Sequence, residues 1–503
     1  MSDWIRLSER DQVIVALRPY AAGELVELED GSRLTLNANV PKGHKIATAP
    51  VPKGQDVFKF GYSIGKAKAD LQPGEWVHTH NLETGLGDIL DYRYEPASSA
   101  SFNEASPSDM AAVPTFQGYV RPDGSVGIRN EIWIINTVGC INKMCELLAK
   151  QGEAQFGSML DGGVHHFAHP FGCSQLGDDL TYTQKLLASL VHHPNAGGVL
   201  VVGLGCENNG IDLFKGAIGD YDERRVKFMR VQEEEDELDK GLLLLEELAE
   251  YAGAFQREPV PVSKLKIGLK CGGSDGLSGI TANPLVGVLS DRLIAAGGTA
   301  ILTEVPEMFG AETILMNRAQ DEGVFGDIVT LINDFKQYFI RHGQNIYENP
   351  SPGNKDGGIT TLEEKSLGCT QKGGHAIVRD VVGYGGRVSR AGLNLLEAPG
   401  NDMVSVTALS AAGAHVVFFT TGRGTPFGGA VPTVKVATNS ELAERKKNWI
   451  DFNAGKLLEG VTMPMLADEM WEYLIALASG ETRTHSERNG FREIAIFKDG
   501  VIL

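Results

Sequence analysis

Two textures of apolar and polar positions divide the chain. Over residues 1–95 short apolar runs, Gln12–Leu17 and Asp56–Phe60, are interrupted by turn signals at Asp30-Gly31, Pro41-Lys42-Gly43, Pro52-Lys53-Gly54 and Pro73-Gly74. The intervals are too short for helices and predict a small β-rich unit. Residues 96–115, PASSASFNEASPSDMAAVPT, carry no apolar period and read as a linker. Beyond it, Glu131–Asn136, Val199–Val202, Val226–Val231, Lys266–Leu269, Thr299–Leu302 and His415–Phe419 fit buried strands. Glu234–Tyr251 has helical periodicity, with Leu242–Leu245 as its core stripe. Strands alternating with helices predict an α/β body over 116–503 with a mainly parallel sheet, as one unit or two subdomains. Gly343–Gly374, rich in Gly, Pro and Asn, reads as a long functional loop.

Composition narrows the function. The 503 residues are 42% hydrophobic, enough for two or three domains. The apolar runs are strand-sized, too short to span a membrane. Met1–Arg6 lacks the basic-then-apolar order of a secretory signal. A net charge of −19 excludes nucleic acid and anionic membranes as natural partners. A small anionic substrate would need a local cation, either a basic cluster or a metal ion. Six cysteines scattered along so long a chain are expected to be reduced thiols of a cytoplasmic protein.

Four groups of residues could carry chemistry. Cys140, Cys206 and Cys271 each follow an apolar strand and lie next to glycine, so they sit at strand carboxyl ends, where open α/β sheets bind ligands. Thiolates there suit iron, zinc or an iron–sulfur cluster. His78 and His80, two apart in GEWVHTHN, would share one face of an extended segment as metal ligands or an acid/base pair. His169-Pro170-Phe171-Gly172-Cys173 with Asp178 and Asp179 gathers an imidazole, a thiol and carboxylates in one turn. His165 and His166 nearby are expected to be structural. Gly272–Gly276, with Ser274 and Asp275, and the Gly422–Pro426 turn, with Arg423, could hold a carboxylate.

Further segments make the chain resemble a known family. They are GHKIA (43–47), KFGYSIG (59–65), VHTHN (77–81), HPFGCSQLGDD (169–179), HPNAGGVLVVGLGCENN (193–209), CGGSDGLSGITANP (271–284), LTEVPEMFGAE (302–312), NDFKQYF (333–339), YENPSPGNKDGGITTLEEKSLGCTQK (347–372), APGND (398–402), TGRGTPFGG (421–429) and RNGFREIAIFKDGVIL (488–503). In this order, over nearly the whole chain, they resemble the altronate/galactarate dehydratase family. The 347–372 run resembles its altronate branch especially.

The resemblance implies an SAF-type N-terminal domain on a sugar-acid lyase body. It implies a hydro-lyase that removes the C2 proton and the 3-hydroxyl of a sugar acid, with a divalent metal. Ferrous iron is the usual ion, manganese a second and an iron–sulfur cluster a third reading. Expected catalytic groups are His44, Lys59 and His169, and expected substrate contacts are Asn81, Ser274, Asp275 and Arg423. Expected metal ligands are His78, His80, Cys173, Cys206 and Cys271. Lys59 acts as a base only if burial lowers its pKa, and otherwise binds the carboxylate. The N-terminal unit is expected to complete the active site. The expected partner is a small anionic sugar acid, with no nucleic acid or membrane; a homodimer is the assembly considered.

Overall fold

The computed structural model describes residues 3–87, 89–96 and 114–503. The N-terminal unit is β-rich. Trp4–Ile5, Val13–Ala16, Lys45–Ala47 and Trp76–Val77 form one antiparallel sheet, and Asp56–Lys59, Tyr62–Ala67 and Leu82–Glu83 a second. Alternating side chains such as Val13, Val57, Ile64 and Val77 fill its core together with Leu367 of the body, so the unit is packed onto the body. Residues 97–113 of the expected linker lie outside the described residues, and Thr115 already opens a strand, Thr115–Val120.

The body holds two parallel sheets rather than one. The first is ordered Val164–His166, Glu131–Asn136, Ala196–Gly203, Val226–Arg230. The second has seven strands, ordered Val378–Val382, Gly392–Leu396, Thr299–Leu302, Lys266–Cys271, Val416–Thr421, Thr433–Ala437, Phe452–Asn453. Both central strands are buried end to end, as uninterrupted apolar runs require.

The long helix runs Glu237–Gly253, capped by Asp236, whose carboxylate accepts from the Leu238 and Asp239 amides. Its buried face is Leu244, Leu245, Leu248 and Ala249, whereas Leu243 is exposed, because four consecutive residues cannot share one helical face. The 343–374 stretch is not one open loop: it contains helices Pro352–Asp356 and Leu362–Thr370. The second is capped by the Thr361 hydroxyl on the Glu364 amide and buried along its whole length, so it shows no amphipathic period. Among the described residues no helix is long and apolar enough to cross a membrane.

Candidate active site

The carboxyl ends of the seven-stranded sheet converge on a buried polar cluster. Strand Lys266–Cys271 delivers Lys270 and Cys271, and strand Thr299–Leu302 leads to Glu304 and Glu307. Glu304 sits at φ 71°, a conformation non-glycine residues rarely adopt and which tends to occur at functional sites. Helix Leu362–Thr370 supplies Lys365 and Cys369, followed by Lys372. Lys270 pairs with Glu304 and with Asp402 (3.1 Å), Lys372 with Glu304 (3.1 Å) and Lys365 with Glu307 (2.8 Å). Three lysines thus face three carboxylates. Burial alone would raise the Glu307 carboxyl, but Lys365, Lys270 and Lys372 outweigh it and hold it well below the usual range.

Two thiols meet this charge-balanced cluster. Cys271 Sγ and Cys369 Sγ lie 3.1 Å apart, and Glu307 Oε2 is 3.3 Å from the first and 3.1 Å from the second. All three ligand atoms fall within 4.8 Å of one another. The other oxygen, Oε1, is held by Lys365 and by the Asn349 amide at 3.3 Å, which aims Oε2 at the sulfurs. Contact with Cys271, then burial, pushes the Cys369 thiol up. A divalent ion fits this set: loss of two thiol protons adds two negative charges, which the ion cancels, and sulfur with carboxylate suits ferrous iron.

The N-terminal unit closes over the same helix. Lys45, fully buried, donates to Gly358 O (2.7 Å), Thr360 Oγ1 (2.9 Å) and Glu364 Oε2 (2.8 Å). Lys59 donates to Glu364 Oε1 at 2.8 Å. Two ammonium groups therefore share one carboxylate, with a surplus positive charge out of water. Burial, with the Lys59 charge adding to it, pushes Lys45 down to about 8, whereas the two lysines overcome burial and hold Glu364 at about 2. A pocket lined by Lys59, Ser274, Asp275, Glu364, Lys365 and Cys369 joins this triad to the thiols. It encloses about 10 Å³, room for one water. Ser274 Oγ is buried without a partner.

The other expected residues separate. His44 accepts from Trp76 Nε1 on Nδ1 (3.1 Å) within its own unit and meets Asp356 O of the body through Nε2 (3.2 Å), so both nitrogens are engaged. His78 Nδ1 lies 3.0 Å from Thr360 Oγ1; burial, then Lys45 and His44, push its pKa down to about 4. His78 and His80 are not a pair on one face. They lie in a turn in which the Asn81 and Leu82 amides donate to His78 O, so His78 is buried and His80 exposed. Asn81 braces that turn, accepting from the His78 amide and donating to Trp76 O. Asp275 lines the pocket, but its carboxylate accepts from the Leu277 amide and from the Ser278 and Thr438 hydroxyls. Arg423 is exposed, 3.9 Å from Asp356.

His169 and two of the expected ligands belong to the other sheet. His169 Nδ1 accepts from the Phe171 amide and Nε2 donates to Asn136 O, with burial lowering its pKa to about 4. It clamps a loop and is not an acid/base group. His165 and His166 likewise bond Gly162 O and Asn136 Oδ1. Cys173 and Cys206 are exposed at the rim of the four-stranded sheet, so they do not join Cys271. The expected five-residue metal set is therefore not assembled. Lys45, Lys270, Glu304, Glu307, Glu364, Lys365, Cys369 and Lys372 escaped the residue-by-residue reading. Their signal is charge inside apolar surroundings, as in KIGLKC and LTEVPEM.

Comparison with known proteins places all three parts together. Residues 2–85 match the altronate/galactarate dehydratase SAF domain. Residues 118–253 match the D-galactarate dehydratase/altronate hydrolase second domain, and 262–502 the D-galactarate/altronate dehydratase C-terminal domain. The chain is 52% identical to an altronate dehydratase of Escherichia coli K12, over 99% of this chain and 100% of that one. It is 51% identical to an altronate dehydratase of Bacillus subtilis 168 over the full length of both. A galactarate dehydratase (L-threo-forming) of E. coli K12 is 30% identical, over 98% of this chain and 96% of its own. Matched in each of its parts and over essentially its whole length, the chain belongs to the altronate/galactarate dehydratase family.

Proposed function

We propose that this protein is a hydro-lyase that converts D-altronate into 2-keto-3-deoxy-D-gluconate and water, serving galacturonate breakdown in the cytoplasm. The full-length likeness to two altronate dehydratases carries the substrate assignment. Six free cysteines support a reducing compartment.

The chemistry needs a base for a weakly acidic C2 proton, a proton for the departing 3-hydroxyl and stabilisation of the enediolate between them. Lys59 is the group we assign to both transfers. The Lys45–Glu364–Lys59 triad carries one proton more than its charges can balance, and Lys59 is its member on the pocket wall. Loss of one proton from the triad leaves a single neutral ion pair. Lys59 then takes the C2 proton and returns it to the 3-hydroxyl. Ser274 Oγ, with no partner of its own, donates to the substrate. Cys271, Glu307 and Cys369 would hold a divalent ion, ferrous iron by preference or manganese, which supplies Lewis-acid stabilisation of the carboxylate as negative charge builds. A six-carbon acid exceeds the volume of one water, so binding requires the walls of this pocket to part.

Substrate choice is tested by assaying aldonates and aldarates for 2-keto acid formation. D-altronate should turn over well above galactarate, because identity is 52% to the former kind of enzyme and 30% to the latter. Faster turnover of galactarate would move the assignment to the other branch of the family.

A further inference from the structure

Three of the six cysteines, Cys140, Cys173 and Cys206, are exposed. That is unusual, since unpaired cysteine is among the most consistently buried residues. All three lie on loops at the carboxyl ends of the four-stranded parallel sheet. Cys140 follows strand Glu131–Asn136, Cys173 the neighbouring Val164–His166 and Cys206 the neighbouring Ala196–Gly203. The central strand thus has one of the other two cysteine loops on each side.

The loops are laced together by the residues next to each thiol. The Gly139 amide donates to Phe171 O at 2.8 Å, and the Asn209 amide to Gly172 O at 2.9 Å. The Ser174 amide donates to Asn208 Oδ1 at 2.8 Å, and Asn209 Nδ2 to Thr137 O at 3.1 Å. Each cysteine is preceded by glycine: Gly139, Gly172 and Gly205. A Cβ on Gly139 would stand 2.6 Å from His169 O, and one on Gly172 1.9 Å from Thr137 O. On Gly205 it would meet Gln232 Oε1 at 2.8 Å. At Gly139 and Gly172 only glycine lets the loops approach this closely. Ser174, just after Cys173, is held at φ 58°, a strained position sustained by its surroundings. Asn209 Oδ1 is buried there without a partner.

We propose that Cys140, Cys173 and Cys206 ligate an iron–sulfur cluster, leaving one iron without a protein ligand. The spacing favours a cluster over a single ion. Thiolates about 2.3 Å from one tetrahedral ion sit roughly 3.8 Å apart. These three sulfurs do not all lie within 4.8 Å of one another, whereas Cys271, Glu307 and Cys369 do. Each thiol gives its proton to solvent as it binds iron, and ferrous iron, ferric iron and sulfide come from solution, so assembly needs no electron transfer. The site is separate from the Cys271–Glu307–Cys369 set, so either can fail alone.

The test is anaerobic reconstitution of the full chain with ferrous and ferric iron and sulfide. Acid-labile sulfide and a visible charge-transfer band should appear. Both should be lost in Cys140→Ser, Cys173→Ser and Cys206→Ser and retained in Cys369→Ser. In the wild-type chain, alkylation should label the three thiols before reconstitution and fail afterwards, a readout free of folding effects. Absence of acid-labile sulfide after reconstitution, a band that survives the triple substitution, or thiols still alkylated after reconstitution would each overturn the proposal.

Discussion

Replacing Glu364 by Gln is expected to cost about 3–5 kcal/mol of stability, the usual penalty for removing one partner of a buried ion pair. Two buried ammonium groups, Lys45 and Lys59, depend on this carboxylate. The depression of Glu364 from 4.5 to about 2 corresponds to about 3 kcal/mol, the same order. Because the folded-state pKa is the lower one, this contribution is complete above pH 4.5 and is lost as pH falls toward 2. The variant should therefore lose stability at neutral pH and show a shallower decline between those limits. Thermal unfolding across that range measures both effects. Hydrogen exchange should locate the damage in strand Lys45–Ala47, because Glu364 ties the N-terminal unit to the body. A variant as stable as the parent at pH 7 would show that the triad does not hold the two together.

Glu307→Gln is expected to abolish metal retention and turnover together. One oxygen of this carboxylate faces both sulfurs, and the other is fixed by Lys365 and Asn349. Groups that merely orient a ligand are typically worth 10–100-fold in metal affinity, so loss of a ligand itself should exceed that. Iron unaccompanied by acid-labile sulfide should fall to background after anaerobic dialysis in Glu307→Gln and Cys369→Ser, and remain at the parental level in Arg423→Gln, whose side chain lies at the exposed edge. Normal content of such iron in both ligand variants would remove the metal from this cluster.

The parts of the fold that could be read from sequence were those whose neighbours in space are also neighbours in sequence. Strand Thr299–Leu302 matches its apolar run because four buried residues between Gly297-Gly298 and Thr303 leave little choice. Helix Leu362–Thr370 was not legible. Glu363, Glu364 and Lys365 are all buried, so a helix carrying half the site looks polar and without a face. The histidine pair failed for a local reason, a turn where an extended segment was assumed. The cysteine pattern identified the right context, a thiol beside glycine at a strand end, but could not say that Cys206 and Cys271 end different sheets. Lys45 was passed over because lysine is rarely buried. The carboxylate that permits it lies more than 300 positions away.

The central claim is that the N-terminal unit supplies the proton-transfer group, and Lys59→Ala tests it most directly. If Lys59 exchanges the proton, kcat on D-altronate should fall by roughly 10²–10⁴-fold with iron content and fold unchanged. A folded, iron-loaded Lys59→Ala protein that keeps parental turnover would contradict the account.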